Sequence, residues 1–212
     1  TFARFETRSR IIKYIRDYFY NKNFLEIETP ILQNQAGGAM ARTFDTHHND
    51  YDIDMVLRIS LELEHKMLMA GGYERIFEIG KNFRNEGSDP THIQEFTMME
   101  WYAAYVTLEE NMKWTEMLLK GIAMDVIGKM TYTVYDEKGN GTEINIDGVW
   151  PRITFAEAMK EHAGIDIATV TEDELLSEVK KFGGDVKEMK KVSRGALLDF
   201  VYKRTARPKF ID

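Results

Sequence analysis

Phe83-Arg84-Asn85-Glu86-Gly87-Ser88-Asp89-Pro90-Thr91-His92-Ile93-Gln94-Glu95-Phe96-Thr97-Met98-Met99-Glu100-Trp101-Tyr102-Ala103-Ala104-Tyr105 is the stretch on which the reading of this 212-residue chain turns. At the two-residue period of a β-strand, its second half puts Phe96, Met98, Glu100 and Tyr102 on one face, with Met99 and Trp101 turned the other way. Upstream, Arg84 closes an apolar run containing Ile76, Phe77, Ile79 and Phe83, and the polar span Glu86 to Gln94 holds Gly87 and Pro90. The pattern predicts a hairpin that carries an arginine, two glutamates, a histidine and a flat aromatic ring on converging edges. Such a surface suits a purine triphosphate at one end and a cationic side chain at the other. Periodicity alone describes equally well an amphipathic hairpin whose polar face meets solvent.

Outward from the hairpin, Phe5 to Tyr20 reads as a helix with Ile11, Ile12, Ile15, Tyr18 and Phe19 on one stripe. Leu25 and Ile27 then alternate with Glu26 and Glu28 as a strand that Pro30 ends. Gln33 to Asp54 is loop-rich, Met55 to Ser60 reads as a strand, and Glu62 to Ala70 as a short helix stopped by Gly71-Gly72. Beyond the hairpin, Thr107 with Glu110 forms a capping-box pattern. It opens a long helix with Leu108, Met112, Leu119, Ile122 and Val126 turned inward. Thr131 to Tyr135 and Glu143 to Ile146 flank the turn signal Asp136-Glu137-Lys138-Gly139-Asn140-Gly141. Thr154 with Glu157 and Thr171 with Glu174 repeat the capping pattern, and a last helix runs from about Arg194 to Arg204.

Length and composition suit one sizeable domain, or one plus a small insertion: 43% of residues are hydrophobic and 30% charged. No apolar run approaches the ~20 residues that a bilayer span needs, so no membrane partner is expected. The absence of cysteine excludes disulfides and thiolate metal sites and fits a reducing, cytoplasmic setting. A net charge of -7 argues against broad electrostatic binding to a polyanion, so any nucleic acid meets this chain locally. His47-His48 lies among Asp45, Asp50, Asp52 and Asp54, but adjacent strand residues point apart and no helical spacing supports chelation, so no metal ligand is expected here.

Phe83-Arg84-Asn85-Glu86-Gly87, with His92 and Glu95-Phe96-Thr97, resembles motif 2 of the class II aminoacyl-tRNA synthetases. Phe96-Thr97-Met98-Met99-Glu100-Trp101-Tyr102 resembles the lysine-specific members. Phe24 to Leu32 is similar to motif 1. Gly37 to Phe44, Thr46 to Asn49 and Leu57 to Leu63 resemble the lysyl enzymes' connecting segments in the right order. The resemblance implies an α+β fold with a mainly antiparallel sheet flanked by helices, incomplete at its C-terminus. Residues 1–130 would form the motif 1 and motif 2 core, and 131–210 a hairpin and helical insertion region. It also implies that two metal-binding carboxylates, the motif 3 arginine and an anticodon-binding barrel lie outside this chain. The chain is then a catalytic-domain fragment, inactive by itself. Magnesium is expected only in the complete enzyme, and motif 1 implies a homodimer through the Phe5–Tyr20 helix and the Phe24–Pro30 strand.

The reaction so implied joins lysine to ATP as lysyl-adenylate and passes the lysyl group to tRNA(Lys). By resemblance Arg84 is the catalytic residue, holding the lysine carboxylate and the α-phosphate together, as a planar fork permits. Glu86 matches the residue that contacts the adenine amino group, Phe96 the ring on which adenine stacks, and His92 a position near the phosphates. Glu62, with backbone around Gly38, matches the α-ammonium site, and Glu100 with Tyr102 the pair that receives the ε-ammonium, because a desolvated cation requires a carboxylate. The chain departs from the family pattern at Thr91, where arginine is frequent, at Ile93-Gln94, where Asn-Pro is common, and at Thr43, where proline is common. Two other functions share these residues: ligation of a lysine derivative to a translation elongation factor, and non-catalytic lysine binding.

Overall fold

The computed structural model describes residues 2–89, 92–135 and 139–210. Pro90 and Thr91 in the polar loop, Asp136 to Lys138 in the second turn, and Ile211-Asp212 lie outside the described residues. The chain forms two compact units, Thr1–Gly128 and Lys129–Asp212. The first unit runs α1 (Phe2–Tyr20), β1 (Leu25–Glu26), β2 (Leu32–Gln33), β3 (Asp45–His48), β4 (Ile53–Leu57), α2 (Glu62–Ala70), β5 (Arg75–Phe83), β6 (Glu95–Ala103) and α3 (Leu108–Gly121). A π-helical turn, Ile122–Ile127, ends it. The second unit runs β7 (Thr131–Tyr135), β8 (Gly141–Asn145), α4 (Phe155–Ala163), α5 (Glu172–Lys181), α6 (Val186–Met189) and α7 (Arg194–Thr205). An α+β fold with mostly antiparallel pairing results: among the described residues only β1 pairs parallel, alongside β5.

The hairpin β5–β6 forms along its whole length, from Arg75↔Ala103 to Phe83↔Glu95. Its two faces separate as alternation demands. Phe77, Ile79, Met99 and Trp101 pack into the first unit's core with Phe19, Phe24 and Leu118. Phe19 is the hub: its ring stacks on Phe77 at 5.2 Å, meets Phe24 edge-on at 5.0 Å, and lies 5.2 Å from Trp101. Those rings come from α1, the segment after it, and both hairpin strands, so one buried side chain fixes where the first helix lies on the sheet.

Several boundaries differ from what alternation suggests. The motif 1 strand is only Leu25–Glu26, although Ile27 still donates its N–H to Phe77 O at 2.9 Å. Beyond it the backbone turns so that Thr29 reaches a carboxylate, and Pro30 has no N–H to extend the ladder. β4 starts at Ile53, earlier than expected, because Asp54 faces His47 across the β3–β4 hairpin instead of ending the strand. On α3 the exposed Leu108 and Leu119 are not inward; Leu118 is, followed by Ala123 in the π-helical turn. Gly121 explains this, since a Cβ there would lie 2.0 Å from the Tyr14 hydroxyl: α3 approaches α1 on its glycine face.

In the second unit the three-residue register of Thr and Glu does what it should. Thr154 and Thr171 cap α4 and α5 through reciprocal bonds with Glu157 and Glu174, as Thr107 and Glu110 do for α3. The core there is Met159, Leu175, Val179, Leu197 and Val201, contributed by α4, α5 and α7. The short α6, capped by Asp185, was not expected from the apolar spacing because four residues are too few to show a period. Replacing Phe19 by alanine empties the hub and is expected to lower unfolding free energy by about 3–5 kcal/mol. Thr171→Ala removes one cap and costs about 1 kcal/mol. Denaturant midpoints of the two variants check both values.

Candidate active site

The face of the hairpin opposite the core carries Ile76, Glu78, Gly80 and Asn82 on β5, each directly across from Tyr102, Glu100, Met98 and Phe96 on β6. At the loop end a cavity of about 500 Å³ is lined by Arg84, Glu86, His92 and Phe96, with Gly87, Asp89, Ile93 and Gln94. All four residues expected to hold a nucleotide therefore border one space. The Arg84 guanidinium lies over the Phe96 ring, 5.3 Å from its centroid, and its Nε donates to Ile59 O at 3.3 Å. The loop is braced by Gln94, whose side-chain amide donates to Glu86 O at 2.8 Å and to Ser88 Oγ at 2.6 Å. His92 pairs with Asp89 at 2.7 Å.

At the other end Glu100 is half-buried and is met by three donors, all at long range. Tyr102 donates its hydroxyl to Oε2 at 3.3 Å, Ser60 its hydroxyl to Oε1 at 3.3 Å, and Leu61 its N–H to Oε1 at 3.4 Å. These exceed the usual 2.7–3.0 Å, so the carboxylate is positioned but weakly satisfied. Burial first, then the charges of Glu100 and Glu62, push the Tyr102 phenol pKa up, so it stays a donor. Ser60 also accepts from Glu62 N at 3.2 Å. Gly38, at φ 79°, presses on the same spot: a Cβ on it would lie 2.7 Å from Glu62 Cβ and 2.9 Å from Ser60 Oγ. Gly38, Glu62 and Glu100 thus meet around Ser60. The Glu62 carboxylate itself pairs with Lys66 one turn on, an exposed contact of the kind worth little.

Buried within this same face is a cluster that sequence reasoning did not single out. Glu78, 2% exposed, accepts from Arg58 Nη1 at 2.8 Å, Thr29 Oγ1 at 2.7 Å, His65 Nε2 at 3.1 Å and Thr29 N at 3.3 Å. Arg58, equally buried, also donates Nε to Lys81 O at 2.8 Å and Nη1 to Thr29 O at 2.9 Å. Its Nη2 end covers Gly80, where any Cβ would come within 2.3 Å. His65 sets its ring edge-on to Tyr102, 5.2 Å away. Burial alone would raise the Glu78 pKa, but the bonds from His65 and Thr29 and the charge of Arg58 outweigh it, and the net direction is down. The signal was present: a glutamate inside the apolar run Ile76-Phe77-Glu78-Ile79 must be paired if that strand is central.

Among the described residues no group of three or more His, Cys, Asp or Glu is gathered as a metal ion requires. His47 instead lies between Asp54 at 3.0 Å and Asp52 at 3.3 Å, all three solvent-exposed to a large degree.

A family profile for class II tRNA synthetases (D, K and N) matches residues 1–200. The chain belongs to this family. Among curated relatives, the synthetase chain is 43% identical to the lysine–tRNA ligase of Clostridium acetobutylicum over 98% of its own length. It is 46% identical to the lysine–tRNA ligase of Thermoanaerobacter pseudethanolicus over the same share, and 49% identical to that of Lactococcus lactis over 78%. It spans only 40% and 41% of the first two relatives.

The lowered pKa of Glu78 sets an acid limit on this synthetase domain. A carboxylate whose folded pKa lies below its usual 4.5 adds stability above that pH and loses it as pH falls through the folded value. Stability is therefore expected to fall below pH 4.5 with a slope that Glu78→Gln makes shallower by up to about one proton. Urea unfolding of the two proteins between pH 3 and 6 measures the difference.

Proposed function

We propose that this site activates lysine with ATP and that the lysyl group then passes to the 3′ end of tRNA(Lys). A lysine carboxylate oxygen attacks the α-phosphorus, the bond to the β-phosphate oxygen breaks, and pyrophosphate leaves. The terminal tRNA hydroxyl next attacks the lysyl carbonyl and AMP departs. The observation that carries this reading is Glu100: a half-buried carboxylate with three long donors and no cation among the described residues, on the same sheet face as the Arg84 cavity. A desolvated ammonium is the partner that such a group lacks. The names of the relatives support the same chemistry.

In this reading Arg84 neutralises the approach of two anions, which is most of what the first step requires. It leaves the Phe96 face when adenine stacks there, and the aromatic surface it covers now becomes the nucleotide's. Glu86 reads the adenine amino group and His92 lies toward the phosphates. Glu62, near Gly38, takes the α-ammonium, exchanging its exposed contact with Lys66 for the ligand. Glu100 and Tyr102 take the ε-ammonium, and a neutral side chain there would leave Glu100 unpaired. A cytoplasmic setting suits such a reaction. No helix among the described residues is long and apolar enough to cross a membrane. Residues 131–210 are read as the family's insertion region.

The same proposal includes a homodimer through α1 and β1. A groove of about 540 Å³ between α1 and the hairpin is lined by Ile11, Ile12, Ile15 and Met99, an apolar surface half-open to solvent. Light scattering of the full-length protein at micromolar concentration is expected to give a dimer; a monomer removes this part.

Lysine titrations by pyrophosphate exchange in the full-length protein test the site. Glu100→Gln is expected to weaken lysine by roughly 2–5 kcal/mol, about 30-fold or more, with ATP affinity unchanged. Tyr102→Phe removes a neutral hydroxyl and costs on the order of 1 kcal/mol. Phe96→Ala raises the ATP requirement and leaves that for lysine alone. Equal lysine dependence in wild type and Glu100→Gln would remove Glu100 from the site.

A further inference from the structure

Two carboxylates stand directly opposite each other on the ligand face of the hairpin. Glu78 and Glu100 are cross-strand partners, and like charges in that relation repel. The structure treats them unequally. Both oxygens of Glu78 are filled by donors from three separate segments, at 2.7, 2.8, 3.1 and 3.3 Å, and one donor is the buried Arg58 guanidinium. Among the described residues Glu100 receives nothing closer than 3.3 Å and no cation. Arg58 is fixed independently of Glu78 by the carbonyls of Thr29 and Lys81, and it is seated over Gly80, the next residue of β5 on the same face.

From this asymmetry we infer that Arg58 is a positioning residue that cancels the charge of Glu78, leaving Glu100 as the uncompensated carboxylate that receives one cationic head. The inference rests on the reading of Glu100 as the ε-ammonium partner and extends it to residues that touch no substrate. If Glu78 were neutral while Arg58 kept its charge, the guanidinium would lie buried with no carboxylate partner, beside the residue directly across from Glu100. It would then raise the local potential and compete with the incoming ammonium, because a buried charge is poorly screened. Removing both charges together would restore the balance, even though the hydrogen-bonded cluster is smaller. His65 and the Thr29 hydroxyl share one oxygen of Glu78 and keep an acceptor when glutamine replaces it; only the long contact from Thr29 N–H, at 3.3 Å, is lost.

The test is a cycle in the full-length protein, with lysine and ATP requirements measured separately by pyrophosphate exchange. Glu78→Gln alone is expected to raise the KM for lysine at least about tenfold and to leave that for ATP within about twofold. Arg58→Met/Glu78→Gln is expected to return the lysine KM to within about threefold of wild type, despite a lower melting temperature, because neutralised buried pairs are tolerated. A purely structural role for the cluster predicts the reverse order, with the double variant at least as impaired as the single one for both substrates. That order, or an unchanged lysine KM in Glu78→Gln, overturns the inference. Should Glu78→Gln not fold, the double variant decides by itself: a loss beyond about tenfold for lysine with ATP unaffected also overturns it. Glu100→Gln run alongside separates the two layers. If it is silent the ε-ammonium reading falls, whereas a strong effect there without recovery in the double variant removes only the role of Arg58.

Discussion

Thr29, Arg58 and His65 come from three stretches of chain, the turn after β1, the end of β4 and the helix α2, and they converge on the carboxylate of Glu78 in β5. A buried carboxylate without such donors would be costly, and a buried guanidinium without a carboxylate equally so. The segments are therefore held in one relation or none. Because α2 begins beside Glu100 and the end of β4 runs beside Arg84, this cluster also sets the distance between the two ends of the candidate site. Its value lies less in net stability, where buried ion pairs contribute little over apolar replacements, than in fixing a unique arrangement.

The site built on this cluster has two chemically distinct ends. At one, Arg84 lies on the ring of Phe96 above a cavity bordered by Glu86 and His92. At the other, Glu100 is surrounded by donors too distant to satisfy it. The two ends differ in charge: a guanidinium stacked on an aromatic face at one, and at the other a carboxylate with no cationic partner among the described residues. Gly38 joins them sterically to the rest, since only a residue without a side chain approaches Ser60 and Glu62 so closely.

The second unit shows the opposite economy. Its helices α4 and α5 are each started by a Thr and Glu three residues apart, and its core is a small set of aliphatic residues from α4, α5 and α7. Local capping and a helical period carry that unit. No buried charge comparable to Arg58 occurs among its described residues.

The sequence by itself determined the hairpin, its register of inward and outward faces, the capped helices and the family, because each depends on spacing within a short stretch. Alternation put Phe96, Glu100 and Tyr102 on one face and Met99 and Trp101 on the other, and the motifs around Arg84 identified what that face resembles. Tertiary structure alone decided that Glu78 shares the face with Glu100 yet is neutralised by Arg58, that the strand after α1 stops at Glu26 so that Thr29 turns inward, and that α3 buries Leu118 instead of Leu119. Those outcomes depend on which distant donors reach a buried carboxylate and on where one helix can press a glycine against another. No local period encodes either, because the partners lie 13 to 49 residues from Glu78 and are chosen by packing and by the cost of an unpaired buried charge.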